Sequence, residues 1–450
     1  MDEGGAFRGV WNLHSGLRQE GVDSRILARE QARQVTDGSC WDPDPWGNRR
    51  LRKLSLRKIW SNRTPLSNTH FSLDYLGVDV SRHPWVQAAD ILHLHWVAEY
   101  LSSRSLAQLA ALNKPIFWTL HDLRPLTGGC HFPAGCGKFR SGCHLCPQLI
   151  RNHPPITSHA WQALRRSIAL AGVEWIGPSR WICKIAKLAQ VGSPSTIHHI
   201  PYGVEKPGRP RLSRSQARRF FGLPPGRQLI LVAGSHLREK RKGAALAKEI
   251  LEIARRNKPF PQPALLVVGD DAGSFQPHGW ETFSLGRVDH HQMGKVYWAA
   301  DLLLFASQEE NLPFVLLEAL SHGLVPLASA VGGVTDLLPR REFSSLLFRP
   351  NRPEDGARKL LRLCGSPDFR RRIGRVLILR SEKIGALREQ ALAHISLYKA
   401  GLKRRPLPAQ KGAKRHLREG GATSFPFRDF FIRLGRRMNA ISPPPDTGIC

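Results

Sequence analysis

Short, wholly apolar runs alternate along the chain with longer stretches whose apolar residues recur every three to four positions. PIFWTLHD (115–122), RQLILVAGS (227–235), ALLVVGD (264–270), DLLLFA (301–306) and VPLASA (325–330) have strand length. Between such runs, Leu106, Leu109, Ala110 and Leu112 keep helical spacing, as do Met293, Val296 and Tyr297 and the stretch Phe314 to Leu320. Strands apolar on both faces, alternating with helices, predict an α/β fold of parallel sheets covered on both sides.

The two ends depart from this rhythm. Near the start, Val10, Leu13 and Leu17 predict a helix that stops at Glu20-Gly21-Val22-Asp23, before the strand SRILA. Asp368 to Tyr398 is one long helical pattern. The segment 48–63, NRRLRKLSLRKIWSNR, interleaves bases with Leu51, Leu54, Leu56, Ile59 and Trp60. It reads as a solvated surface helix or loop, or as an amphipathic helix on an anionic membrane. Beyond Gly401 the chain is basic and then Pro-rich, a flexible tail by composition, with a short amphipathic helix over 426–438.

The length of 450 residues allows two or more domains, and 41% hydrophobic content excludes wholesale disorder. Lys and Arg number 67 against 36 Asp and Glu, a net charge of +31 that draws the chain to polyanions. These are nucleic acid, phosphorylated substrates or an anionic membrane surface. No apolar run approaches ~20 residues, the length of a transmembrane helix. MDEGGAFRG has neither a basic n-region nor an apolar h-region, so a cytoplasmic chain with reduced thiols is expected. No internal repeat, Walker loop or GxGxxG turn occurs.

Chemistry concentrates in SQEENLPFVLLEALSHGLVPLASAVGG, Ser307 to Gly333. Glu310 lies in a loop after a strand, and Glu318 lies seven intervening residues later on the following helix. Pro313 suits that helix's first turn. The amides around Asn311, Leu312 and Phe314 then surround a helix N-terminus, a natural place for an anion. Gly332-Gly333 ends the next strand, where backbone can approach a ligand closely. At the start of the chain, Gly4-Gly5 opens a helix in the same way. His95 and His121 both stand at the carboxyl ends of strands, where ligands bind in doubly wound sheets.

This pattern resembles the nucleotide-sugar site of the retaining GT-B glycosyltransferases of family 4: Glu310, Asn311-Leu312-Pro313, Glu318, Gly332-Gly333. The resemblance implies two facing Rossmann-like domains with a cleft between them. It implies that Glu318 holds the donor ribose and Glu310 contacts the donor sugar. Gly4 and Gly5 would face the diphosphate, with Lys242 of Arg241-Lys242-Gly243 as its cationic clamp. The family's partner Arg is missing, Ser235-His236 standing near its place, and Arg238 is the substitute. His121 would lie beside the reacting sugar and His95 near it. The family places a β-strand before the first glycine loop, and this sequence has three residues there. Pro201-Tyr202-Gly203-Val204 resembles the interdomain hinge, so domains of 1–200 and 201–400 and a tail of 401–450 are expected.

The stretch 127–148 carries Cys130, Cys136, Cys143 and Cys146, half of the chain's eight cysteines. In a reduced compartment the cluster suggests structural zinc held by four thiolates, with His131 or His144 able to replace one. Free thiols, or a redox pair at Cys143 and Cys146, are the alternatives. A four-cysteine insert after TLHD resembles one family 4 subgroup, the exopolysaccharide and O-antigen (colanic-acid type) enzymes. The implied function is transfer of a hexosyl group from a nucleotide diphosphate sugar to a glycan or lipid-linked acceptor, with no catalytic metal. A GT-B sugar epimerase and a zinc-containing nucleic-acid-binding protein are the other readings. Against the last, the bases are spread along the chain rather than gathered on a reading surface.

Overall fold

The computed structural model describes residues 4–30, 38–42, 45–67, 69–74, 77–152, 155–205, 213–257 and 262–404. The tail, with the helix expected over 426–438, lies outside the described residues.

The first half runs α1 (Gly5–Gln19), β1 (Ile26–Ala28), β2 (Gly38–Cys40), α2 (Pro45–Ser61), α3 (Pro84–Ala88), β3 (Leu92–His95), α4 (Ser103–Ala110), β4 (Ile116–Thr119), α5 (Ile156–Ala171), β5 (Glu174–Gly177), α6 (Arg180–Leu188) and β6 (Ile197–His199). Strands β3 to β6 form a parallel sheet in chain order, in register at Leu92 with Ile116, Phe117 with Glu174, and Trp175 with Ile197. Helices cover it through Leu106, Leu109, Leu164 and Ile168, which pack with Trp118 and Trp175. Among the described residues no strand precedes α1, and β1 with β2 forms a separate parallel pair.

The second half runs α7 (Arg214–Phe220), β7 (Leu229–Ala233), α8 (Ala244–Arg256), β8 (Ala264–Val268), β9 (Thr282–Gly286), α9 (His290–Ala299), β10 (Leu302–Phe305), α10 (Phe314–Ser321), β11 (Val325–Ser329), α11 (Val334–Leu337), α12 (Arg340–Phe343), β12 (Leu347–Phe348), α13 (Pro353–Cys364), α14 (Pro367–Ile384) and α15 (Leu387–Lys403). Its parallel sheet has the order β12-β11-β10-β7-β8-β9. Strands β8 and β11 are buried at every position, as their unbroken apolar sequence requires. A fully buried leucine such as Leu265 contributes roughly 2 kcal/mol by removal from water.

Strand order reverses between β7 and β10, which are neighbours though 68 residues separate their loops at Lys242 and Glu310. At such a switch point the loops part and leave a crevice beyond the carboxyl ends. The loops after β7 and β10 are therefore placed together by topology alone.

The long helical pattern of 368–398 divides at Gly385, where φ is 146°. This lets α15 return to the first half. Leu13 and Leu17 of α1, Phe117, Ile176 and Ile200 share one core with Ala391 and Tyr398 of α15. Both helices grip the expected hinge. Asn12 Nδ2 donates to the Gly203 carbonyl at 2.9 Å, and the Gly203 amide donates to Gln390 Oε1 at 2.9 Å. Among the described residues no helix is long and apolar enough to cross a membrane.

Candidate active site

The loop between β10 and α10 presents Glu310, which is only 6% exposed. Its Oε1 lies 2.9 Å from Lys242 Nζ and 3.0 Å from Arg241 Nη1. Burial pushes the Glu310 carboxyl up, but the two cations outweigh it and hold the group below the usual carboxylate range. Arg241 also bonds the Glu309 carbonyl at 3.0 Å and Glu239 at 3.2 Å, and its guanidinium lies 4.5 Å from the Phe132 ring centre. The cations beside Glu310 are thus Arg241 and Lys242. Arg238 is exposed, and its backbone amide bonds Asp271. In the tract Lys240-Arg241-Lys242, the middle residue is buried and Lys242 also reaches Glu310, while Lys240 is exposed.

Glu318 lies one turn into α10 and is 8% exposed. One carboxylate oxygen pairs with Arg8 Nη1, and the other accepts from Tyr297 Oη at 2.7 Å. Neither partner was anticipated from the sequence. Arg8 belongs to α1, whose N-cap is Gly4. A Cβ on Gly5 would lie 3.8 Å from the Phe314 ring, so the expected glycine start does meet the α10 N-terminus. Leu312 is buried in the second-half core.

The histidines join this edge from the other sheet. His121 Nε2 is 2.9 Å from His95 Nδ1, and His121 Nδ1 is 2.7 Å from Tyr202 Oη. Tyr202 stacks on Phe314 at 4.7 Å. Burial lowers His121 to about 4 against a smaller opposing pull from Asp122, so both rings work as neutral donors and acceptors.

The side on which a Cβ would stand is filled at both Gly332 and Gly333. A Cβ on Gly332 would strike the Glu310 carbonyl oxygen, and one on Gly333 would strike the Asn311 carbonyl oxygen. The pair lets β11's end press against the back of the Glu310 loop.

The four cysteines are free thiols in one loop. Among the described residues no three His, Cys, Asp or Glu side chains gather in a metal-ligand arrangement. Cys130 and Cys146 pack with Ile59, Phe71 and Leu149, while Cys143 Sγ accepts from the Gly128 amide at 3.2 Å. Burial and neighbouring thiols push the Cys130 thiol well up, and burial raises Cys143 to about 11. His131 is bound to Asp122 at 2.6 Å and His144 to Ser158 at 3.2 Å. The loop instead reaches the second half. Ala134 N donates to Glu309 Oε2 at 3.1 Å, two residues from the Phe132 ring that covers Arg241.

Residues 213–376 match the model of the family described as glycosyl transferases group 1. Over 377 residues the chain is 27% identical to a protein of Escherichia coli (strain K12) described as a colanic acid biosynthesis glycosyl transferase, WcaC, covering 76% of this chain and 84% of that one. The fold is similar to that of a glycosyltransferase from Rickettsia africae, with a TM-score of 0.59, 14% identity and 90% and 97% of the two chains covered. It is also similar to Anabaena HepE in complex with UDP, with a TM-score of 0.58, 12% identity and 89% and 98% covered. These neighbours share the GT-B arrangement of two Rossmann-like domains. The second half therefore holds a glycosyl transferases group 1 domain, and the chain that carries it is a glycosyltransferase.

Proposed function

We propose that the chain transfers a hexosyl group from a nucleotide diphosphate sugar to a glycan or lipid-linked acceptor, with retention at the anomeric carbon, on the cytoplasmic side of cell-surface polysaccharide synthesis. The observation that carries the reading is Glu310 held between Arg241 and Lys242 at the switch point of a parallel sheet. Glu318 takes the ribose hydroxyls and Glu310 the sugar. Lys242, Arg241 and the amides at Gly4, Gly5 and Leu312 offset charge growing on the leaving diphosphate. Prepositioned donors of this kind are usually the largest catalytic contribution, and here they are side chains and amides rather than a metal. The likeness to family 4, the relative described for colanic acid and the UDP complex of HepE support the same donor class.

The acceptor side lies on the first half, residues 1–200, with the hinge at 201–204. A lipid-linked acceptor fits α2. Its Leu51, Leu54 and Trp60 are exposed beside Arg50, Lys53, Arg57 and Lys58, a composition suited to an anionic membrane surface.

Release of nucleotide from a panel of nucleotide sugars, with water as acceptor, tests the donor reading. Glu318→Gln and Lys242→Ala are each expected to slow it on the order of a hundredfold. Unchanged turnover in both variants sinks these roles.

A further inference from the structure

We propose that Arg8 is a donor-contacting residue: it guards Glu318 in the free site and moves onto the diphosphate when a nucleotide diphosphate sugar binds. The inference rests on the donor reading above and adds to it a cation from the opposite half of the molecule.

Start from Glu318. Both of its oxygens are engaged, one by Arg8 and one by Tyr297. A ribose diol brings two further donors to the same carboxylate, so it competes with whichever partner can move. Tyr297 is 2% exposed and belongs to the second-half core. Its hydroxyl cannot withdraw without opening that core. The Arg8 side chain keeps 20% exposure and comes from α1, in the first half. Arg8 is the partner that leaves.

Charge decides where it goes. In the loop after β7, Arg241 and Lys242 stand against Glu239 and Glu310, so two cations face two carboxylates. These two cations are already paired with carboxylates, which leaves the exposed Arg238 and Lys240 of the same loop, and Arg8 of α1, to meet an incoming diphosphate. Arg8 becomes spare when ribose hydroxyls replace it on Glu318. A displaced guanidinium left unpaired in a half-buried cleft is costly, whereas paired with phosphate it forms strong bidentate hydrogen bonds. Its position suits the move. Arg8 is in the first turn of α1, its amide bonded to the Gly4 carbonyl at 3.1 Å, and its guanidinium lies 5.8 Å from the Phe314 ring centre at the α10 N-terminus. The pair therefore works as an exchange: the donor gives Arg8 a new anion and takes Glu318 in return.

The test uses the full chain and counts phosphates. Nucleoside diphosphates (UDP, GDP, ADP, TDP) are screened by thermal shift. The one that stabilises the wild type is then titrated beside its monophosphate and its nucleoside. Arg8→Ala is expected to weaken the diphosphate on the order of tenfold or more, while the nucleoside binds as well or better because its competitor for Glu318 is gone. Arg8→Lys is expected to recover part of the diphosphate affinity. Equal weakening of nucleoside and diphosphate makes Arg8 a structural prop and overturns the inference. Unchanged diphosphate binding in Arg8→Ala overturns it as well, with the donor reading intact. If no nucleoside diphosphate stabilises the wild type, the donor reading falls and this inference falls with it.

Discussion

The side-chain amide of Asn311, on the second-half loop, donates to the carbonyl of Leu120 at the end of a first-half strand, 2.8 Å away. The same Nδ2 lies 3.2 Å from the His121 carbonyl, and Oδ1 accepts from Ser179 Oγ at 2.6 Å. Ser179 also caps α6 through the Ile182 amide at 3.1 Å. One buried amide thus ties the loop carrying Glu310 to the strand end carrying His121. In the proposed reaction the sugar-facing role falls to its neighbour Glu310, which these bonds hold in place.

Removing that amide strands buried polar groups on both halves. Asn311→Ala is expected to cost about 2–4 kcal/mol, since each unmatched buried group costs about 1–3. Ser179→Ala loses one side-chain partner and a helix cap, about 1–2 kcal/mol. Urea unfolding of both variants reads this. Because the residues touch, the double variant is expected to lose less than the two single losses together.

The glycine turn after β11 makes a second prediction. Gly332 has φ of 48°, and a Cβ there meets the Glu310 carbonyl oxygen. Gly332→Ala adds left-handed strain to a backbone collision, so the Glu310 loop has to shift. A loss of stability of about 2 kcal/mol or more is expected, and donor hydrolysis should fall with it. Wild-type turnover in a folded Gly332→Ala protein would show that the loop's position does not matter to the chemistry.

The sheets were legible because their strands are apolar on both faces, and strand–helix alternation leaves few parallel topologies. The convergence of Glu310 and Lys242 on one site was legible through a motif, although 68 residues separate the two, but their direct ion pair was not. Arg241 was not, because its burial depends on Phe132 arriving from the distant cysteine-rich loop. Arg8 reads as one more base in a basic chain, and only the meeting of α1 with α10 makes it a partner for Glu318. The cysteines were legible as one loop, but the bonds that fix that loop, from Thr157 to the Cys143 carbonyl and from the Gly128 amide to the Cys143 sulfur, were not.

The histidine cluster predicts how stability varies with pH. Burial lowers His121 and His394 to about 4, and pushes His93 and His95 well down. Unfolded, each histidine titrates near 6.5. Between about pH 4 and 6.5 the unfolded chain binds more protons, so stability rises with pH through that window and is flat above it. One such histidine is worth about 3 kcal/mol across the window. Urea unfolding at pH 5 and pH 7.5 is expected to show a marked loss at pH 5, and His394→Gln to reduce it. Equal stability at both values would mean these rings are charged in the folded protein.

Arg241 allows the sharpest test of the Glu310 cluster. Its guanidinium reaches Glu310, Glu239 and the Glu309 carbonyl at once while the Phe132 ring covers it. A lysine offers a point charge and cannot span three acceptors. Arg241→Lys is therefore expected to behave nearly as badly as Arg241→Ala, with donor hydrolysis down on the order of a hundredfold. If Arg241 acts by holding the Glu310 carboxylate, its loss matters little once that carboxylate is gone. Arg241→Ala on a Glu310→Gln background should then cost far less than on the wild type. Phe132→Ala, which removes only the ring, should weaken the donor's KM more than kcat if it merely steadies the guanidinium. Fully independent effects of Arg241→Ala and Glu310→Gln on kcat would separate the two residues and leave Arg241 as a structural link between the cysteine-rich loop and Glu239.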